Sequence, residues 1–181
     1  MATLAPSLRA LFNELDDVWP NRDRRTDGWY RDCVWVDHGT DHCPDAYGMV
    51  HAIDIDKDGI NPDLVVRALI KMDLVVRYVI WNRHIWEHKN GWRMDNYTGT
   101  SNPHTDHIHV SIEHTFGAQR YTGSFGILNQ IAIEAATGVV NAVIAAPIWD
   151  SSAYMTRFSD NILALRNELD ATSLIFKGLR K

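Results

Sequence analysis

The segment His107-Ile108-His109-Val110-Ser111-Ile112 alternates strictly between polar and apolar residues, and no other stretch limits the possible folds as tightly. A period of two belongs to a β-strand, where side chains two apart share a face. His107 and His109 therefore project together, and Ile108 and Val110 turn towards the core. The histidine face is expected to be the exposed one. His104 and Asp106 stand just before this strand and His114 just after it. A second group, Asp37, His38, Asp41, His42, His51 and Asp54, also runs into a predicted strand.

Two imidazoles on one strand face can meet a single metal ion or divide the work of ligand and proton acceptor. Zinc takes nitrogen, sulfur and carboxylate oxygen donors in tetrahedral geometry, and a catalytic zinc site commonly keeps three protein ligands and an open position. Two histidines and one aspartate leave the ion electrophilic enough to lower the pKa of a water. His42, Asp54 and His109 meet that requirement. Asp106 or His107, held beside the same ion, is the candidate proton acceptor. Asp54, Asp56, Asp58 and Gly59 imitate the start of a calcium loop, but position 65, where the closing Glu would stand, is Val.

The rest of the chain supports an α+β fold with a small, mainly antiparallel sheet and flanking helices. Leu8, Leu11, Phe12, Leu15 and Trp19 recur at helical spacing behind Pro6, and Trp19-Pro20 ends that helix. Residues 20–48 show no sustained period and read as a long ordered loop that a metal or substrate would hold. Met49 to Ile55 reads as one strand. Asn61-Pro62 caps a helix through Leu64, Val65, Ala68, Leu69 and Met72. Tyr78 to Trp81 and His84 to Trp86 pair around Asn82-Arg83, and a further turn at Asn90-Gly91 leads to Trp92. These elements give a first domain over residues 1–123. Residues 124–181 form a helical C-terminal extension, with Glu134 the only charge between Ser124 and Trp149. One helix there is expected to break or bend near Gly138, and Asp150-Ser151-Ser152 to cap another through Tyr154, Phe158 and Leu169. The extension either covers the sheet or joins a second module.

Composition excludes several classes of function. The net charge is −5, and 12 of the 23 acidic residues lie in residues 1–60 against six Lys or Arg, which disfavours nucleic acid. With 45% apolar and 23% charged residues the chain can bury a core. No export signal is visible over Met1 to Leu11, and Ala135 to Trp149 is too short to cross a membrane. A soluble, monomeric protein without membrane insertion is expected, with Cys33 and Cys43 as reduced thiols.

The run His42-Cys43-Pro44-Asp45-Ala46-Tyr47-Gly48-Met49-Val50-His51-Ala52-Ile53-Asp54-Ile55-Asp56, with Asn102-Pro103-His104-Thr105-Asp106-His107-Ile108-His109-Val110-Ser111, resembles the zinc D-Ala-D-Ala carboxypeptidase-like peptidases of phage endolysins. The opening Ala5 to Asp23 is similar as well, so the resemblance covers about residues 3 to 116. It implies the α+β fold shared with hedgehog-type domains, Zn2+ on His42, Asp54 and His109, and hydrolysis of a peptidoglycan stem peptide or crossbridge. It also implies a protein held in the host cytoplasm until holin-type release, or carried on the phage particle. Thr40-Asp41-His42 stands where many relatives have Ser-Asp-His, and Cys43 replaces their usual Asn; a Cys43 thiolate is a weaker alternative ligand. Asp106 matches the family's acidic position three before the last ligand. Arg31, with Arg25 behind it, is the candidate to hold a substrate carboxylate or carbonyl, and Trp92 to line a glycopeptide cleft. The competing class is a non-catalytic zinc-supported binding or phage structural module, in which protein fills all four metal positions.

Overall fold

The computed structural model describes residues 1–31, 33, 40–99 and 102–145, with only the backbone of 139–145. The expectations for Trp35, Asp37, His38 and the helix after Asp150 lie outside those residues. The chain divides into two compact units, residues 1–130 and 131–181. In the first, a five-stranded sheet is flanked by helices in a mixed α+β arrangement.

Helix α1 (Pro6–Val18) begins at Pro6, whose missing N–H costs nothing in a first turn, and ends at Trp19, before Pro20. Its apolar stripe, Leu8, Leu11 and Leu15, is fully buried. Each such side chain contributes about 2 kcal/mol from burial. Helix α2 (Pro62–Leu69) is capped by the Asn61 side chain, which accepts a hydrogen bond from the Leu64 N–H.

The expected strand from Met49 to Ile55 is two elements. Strand β2 (Met49–Val50) pairs in parallel with β1 (Thr3–Leu4), whereas β3 (Ala52–Asp56) joins the main sheet. His51 sits at the division, its N–H donating to the Asp41 carbonyl while its own carbonyl accepts from Ile112. The remaining strands are β4 (Val76–Trp81), β5 (His84–Glu87), β6 (Met94–Asn96) and β7 (His107–Ile112), and the sheet order is β3-β7-β4-β5-β6. All four pairings are antiparallel. Asn82 and Arg83 carry the positive φ angles, 48° and 68°, that a two-residue hairpin between β4 and β5 requires. The short edge strand β6 carries no alternation that would mark it in the sequence.

Strand β7 lies between β3 and β4, so all six of its residues are buried. The histidine face is therefore covered, contrary to expectation. Register then fixes the site, because directly opposed residues share a face. Asp54 lies opposite His109, which lies opposite Ile80; Ser111 lies opposite both Ala52 and Tyr78. Ile53, Ile55, Val79, Ile108 and Val110 occupy the other face and build the core.

The loop after α1 is tied down by Arg22. Its buried guanidinium bonds Asp16 at 2.6 Å and both oxygens of Asp27 at 2.7 and 2.9 Å. Asp27 Oδ1 also accepts the Asp56 N–H. The Gly28 and Asp54 backbones then exchange hydrogen bonds, which ties this loop to the free edge of β3. At Asp58-Gly59 the turn needs glycine twice over: φ is +82°, and a Cβ there would meet Arg22 Cα at 2.8 Å.

Cys33 and Cys43 form a disulfide with Cα atoms 5.7 Å apart, which corrects the expectation of reduced thiols and removes Cys43 as a metal ligand. Folding brings these positions together, which sequence separation alone does not reveal.

Helix α3 (Phe116–Arg120) is capped by Thr115, and α4 (Ile127–Ala145) continues through Gly138 without the break that was one of the two expectations there. The Glu14 carboxylate of α1 accepts the N–H groups of Phe125 and Ile127 at the start of α4. No helix among the described residues is long and apolar enough to cross a membrane.

Candidate metal centre

Three side chains from three elements converge. His42 comes from the loop held by the disulfide, Asp54 from the middle of β3 and His109 from the middle of β7. His109 Nδ1 lies 3.0 Å from Asp54 Oδ1, His42 Nε2 lies 3.2 Å from the same oxygen, and the two nitrogens are 3.1 Å apart. Donors about 2.0 Å from a tetrahedral ion stand about 3.3 Å from one another. The spacing therefore fits a zinc-sized ion.

Proton accounting points the same way. His42 Nδ1 lies 3.2 Å from the Trp29 carbonyl oxygen, which can only accept, so Nδ1 donates to it and Nε2 is the nitrogen turned towards Asp54 and His109. The outer nitrogen of His109, Nε2, is 3.0 Å from Ser111 Oγ. Burial pushes the His109 imidazole below its ordinary pKa in spite of Asp54, so the ring is neutral at neutral pH. Burial alone would raise the Asp54 carboxyl, but its contacts with His109 and His42 outweigh it and hold the group well below the usual range. Metal binding requires an ionised carboxylate, the state in which Asp54 is held, and imidazole nitrogens free of a proton.

No fourth His, Cys, Asp or Glu joins these three among the described residues. His107 stands beside them, its Nε2 3.7 Å from Asp54 Oδ1 and 3.3 Å from Asn102 Nδ2. Its other nitrogen, Nδ1, is 2.8 Å from Asp106 Oδ1. Asp106 is itself 62% exposed at the side chain and reaches the group through His107. His104 packs edge-on against His107 and His109, with ring centroids 5.0 and 5.6 Å away. Its backbone is left-handed (φ 52°), and its buried Nδ1 has no partner.

Arg31 is exposed; its backbone N–H donates to the His42 carbonyl, and its guanidinium makes no ion pair with the described residues. Arg25 is committed to Asp23 and Asp58. The Asp23, Asp56 and Asp58 carboxylates also cluster, but both Asp56 oxygens already accept backbone N–H groups, from Thr26 and Asp58. Trp92 bonds Asp73 and stacks on His88, away from the three ligating side chains in the sheet order. His51 stacks on His114 at 4.0 Å in a separate cluster.

The sequence reading missed the outer partners of the ligands. The Trp29 carbonyl leaves no trace in side-chain chemistry. Ser111 does, since strand alternation puts it on the face of His107 and His109.

Compared with protein-family models, with curated proteins and with solved structures, the chain matches none of them.

Proposed function

We propose that the protein is a zinc-dependent peptidase that hydrolyses peptide bonds in bacterial peptidoglycan, of the D-Ala-D-Ala carboxypeptidase-like type found in endolysins with the hedgehog-type fold. The observation that carries a metal-dependent hydrolase is the convergence of three lone-pair atoms at 3.0–3.2 Å with no fourth protein donor among the described residues. An open position distinguishes this arrangement from a closed, purely supportive zinc site. The cell-wall substrate is supported by the motif resemblance around His42, Asp54 and His109.

Zinc bound by these three residues would supply Lewis acidity, polarising a peptide carbonyl and making a water acidic. The chain's own residues handle the proton. Asp106 can only accept, so it holds His107 with Nδ1–H donating to it and leaves Nε2 unprotonated on the side facing Asp54. Asn102 Nδ2, a donor, agrees with that tautomer. His107 Nε2 thus takes the proton from the attacking water and returns it to the leaving amine, and Asp106 orients the ring and steadies its charged form. Arg31, exposed beside the His42 loop, is the group to meet a substrate carboxylate.

The test is digestion of purified peptidoglycan by zinc-loaded, chelator-stripped and zinc-restored protein, with new termini identified by mass spectrometry. Cleavage should vanish on stripping and return with zinc. His107→Gln should lower turnover about 100-fold with zinc retained, and Asp106→Asn by a smaller factor. A zinc-loaded protein that leaves peptidoglycan intact would instead favour the binding module.

A further inference from the structure

Of the three ligating side chains, His42 is the one that no strand carries. Apart from its ring contact with the Trp29 carbonyl, two ties join its segment to the stretch that follows Gly28. The Arg31 N–H donates to the His42 carbonyl at 3.2 Å, and Cys33 is bonded to Cys43, the residue directly after His42. The first is a single hydrogen bond from an exposed residue, where water competes. The second is covalent. Both cysteines are largely buried, but Cys43 lines a cleft of about 420 Å³ that it shares with Pro44, Asp45, His51 and His114, and the cleft is open to solvent.

A covalent tie beside a ligand, with a route for a reductant to one of its sulfurs, can govern that ligand. We infer that the Cys33–Cys43 disulfide is a redox switch on the metal centre: oxidised, it holds His42 against Asp54 and His109; reduced, it frees the loop and weakens the hold on zinc. The inference rests on the reading of His42, Asp54 and His109 as metal ligands and adds a regulation of that site. In the step itself, one sulfur of a dithiol reductant attacks Cys43 Sγ from the cleft, and the Cys33–Cys43 bond breaks. The second sulfur of the reductant then displaces Cys43 and closes the reductant's own disulfide. Two electrons pass from the dithiol to the protein, and its two protons end on Cys33 and Cys43.

The sequence separation is 10, and the freedom returned to a loop of that length sets an upper limit of about 100-fold on the change in an equilibrium constant. In the reduced protein zinc must restore that order as it binds, so its affinity falls. The coupling is reciprocal: zinc makes the disulfide harder to reduce by the same factor. Intracellular thiols thus keep the centre in its weak form, and an oxidising medium closes it.

The test uses the full chain, with zinc alone as the ligand. Metal-free protein is treated with dithiothreitol in the absence of denaturant, and free thiols are counted while circular dichroism follows the fold. The bond is expected to open in folded protein; a bond that resists until the chain unfolds overturns the inference. The reductant is then removed without air, and the zinc dissociation constants of reduced and oxidised protein are measured by competition with a chromophoric chelator. Reduction should weaken binding at least about tenfold, within the limit set by the loop, and reoxidation should restore it.

Free thiols can themselves bind zinc, so Cys33→Ser/Cys43→Ser removes the bond without supplying them. This variant should match the reduced protein in its loss of affinity. Equal affinity in the two redox states, tighter binding after reduction, or a wild-type constant in the double variant overturns the inference and leaves the three ligands standing. An oxidised wild type that binds no zinc sinks the metal-centre reading itself, and the switch with it.

Discussion

His104 carries an unusual load for one side chain. It is buried, its Nδ1 is unpartnered, and burial together with the nearby His109 and His107 pushes its pKa down to about 4. In the unfolded chain the group returns to about 6.5. As pH falls through 6.5 the unfolded state takes up a proton that the folded state refuses until about pH 4. Unfolded chains therefore bind more protons in that window, and stability declines with falling pH across it. The loss amounts to roughly 3 kcal/mol by pH 4. His104→Asn removes the imidazole and suits the left-handed backbone. Denaturant titrations of metal-free protein between pH 7 and 4 should give the variant a shallower decline than the wild type. Parallel declines would show that His104 does not refuse the proton.

At the scale of elements, the loop carrying His42 is held by devices of different legibility. The Cys33–Cys43 bond closes a loop with a sequence separation of 10 next to a ligand. A loop of that length gains about 3 kcal/mol from the lost freedom of the unfolded chain. Cys33→Ser should lower the stability of the metal-free protein by up to that amount, read from denaturant midpoints. An unchanged midpoint would mean the bond adds nothing that Arg22, Gly28 and the loop's backbone bonds do not already provide. Helices α1 and α2, the Asn82-Arg83 hairpin and β7 were legible because their signals are local: a cap, a proline, a period. The pairing of β1 with β2, the burial of Arg22 between Asp16 and Asp27, and the disulfide were not, since each joins residues whose proximity exists only after folding. The same division runs through the site. His42, Asp54 and His109 stand out as metal-binding residue types, whereas Trp29 contributes only a carbonyl. Strand register, once known, places Tyr78 beside Ser111 and Asp54 beside His109 without further information.

For the molecule as a whole, the three donors differ in how firmly the fold holds them. Asp54 and His109 face each other across a paired ladder, and strain between them would have to open the sheet. His42 hangs on the Arg31 N–H bond to its carbonyl, the Cys43 N–H bond to Thr40 and the disulfide. Without an ion to bridge the three donors, the element with the fewest ties yields first. Helix α1 does not depend on the ion, because Leu8, Leu11 and Leu15 anchor it in the core. Zinc at 100 times its dissociation constant stabilises the folded state by about 2.7 kcal/mol. In native-state exchange that gain is expected first where local opening releases His42. Hydrogen exchange with and without chelator should therefore show faster exchange at the Arg31, His42 and Cys43 amides on metal removal, with the α1 amides of Leu11 and Leu15 changed only through global unfolding. Equal protection of residues 40–43 in both states would mean that the sheet and the disulfide alone hold His42 in place, and that the ion binds a site already closed around it.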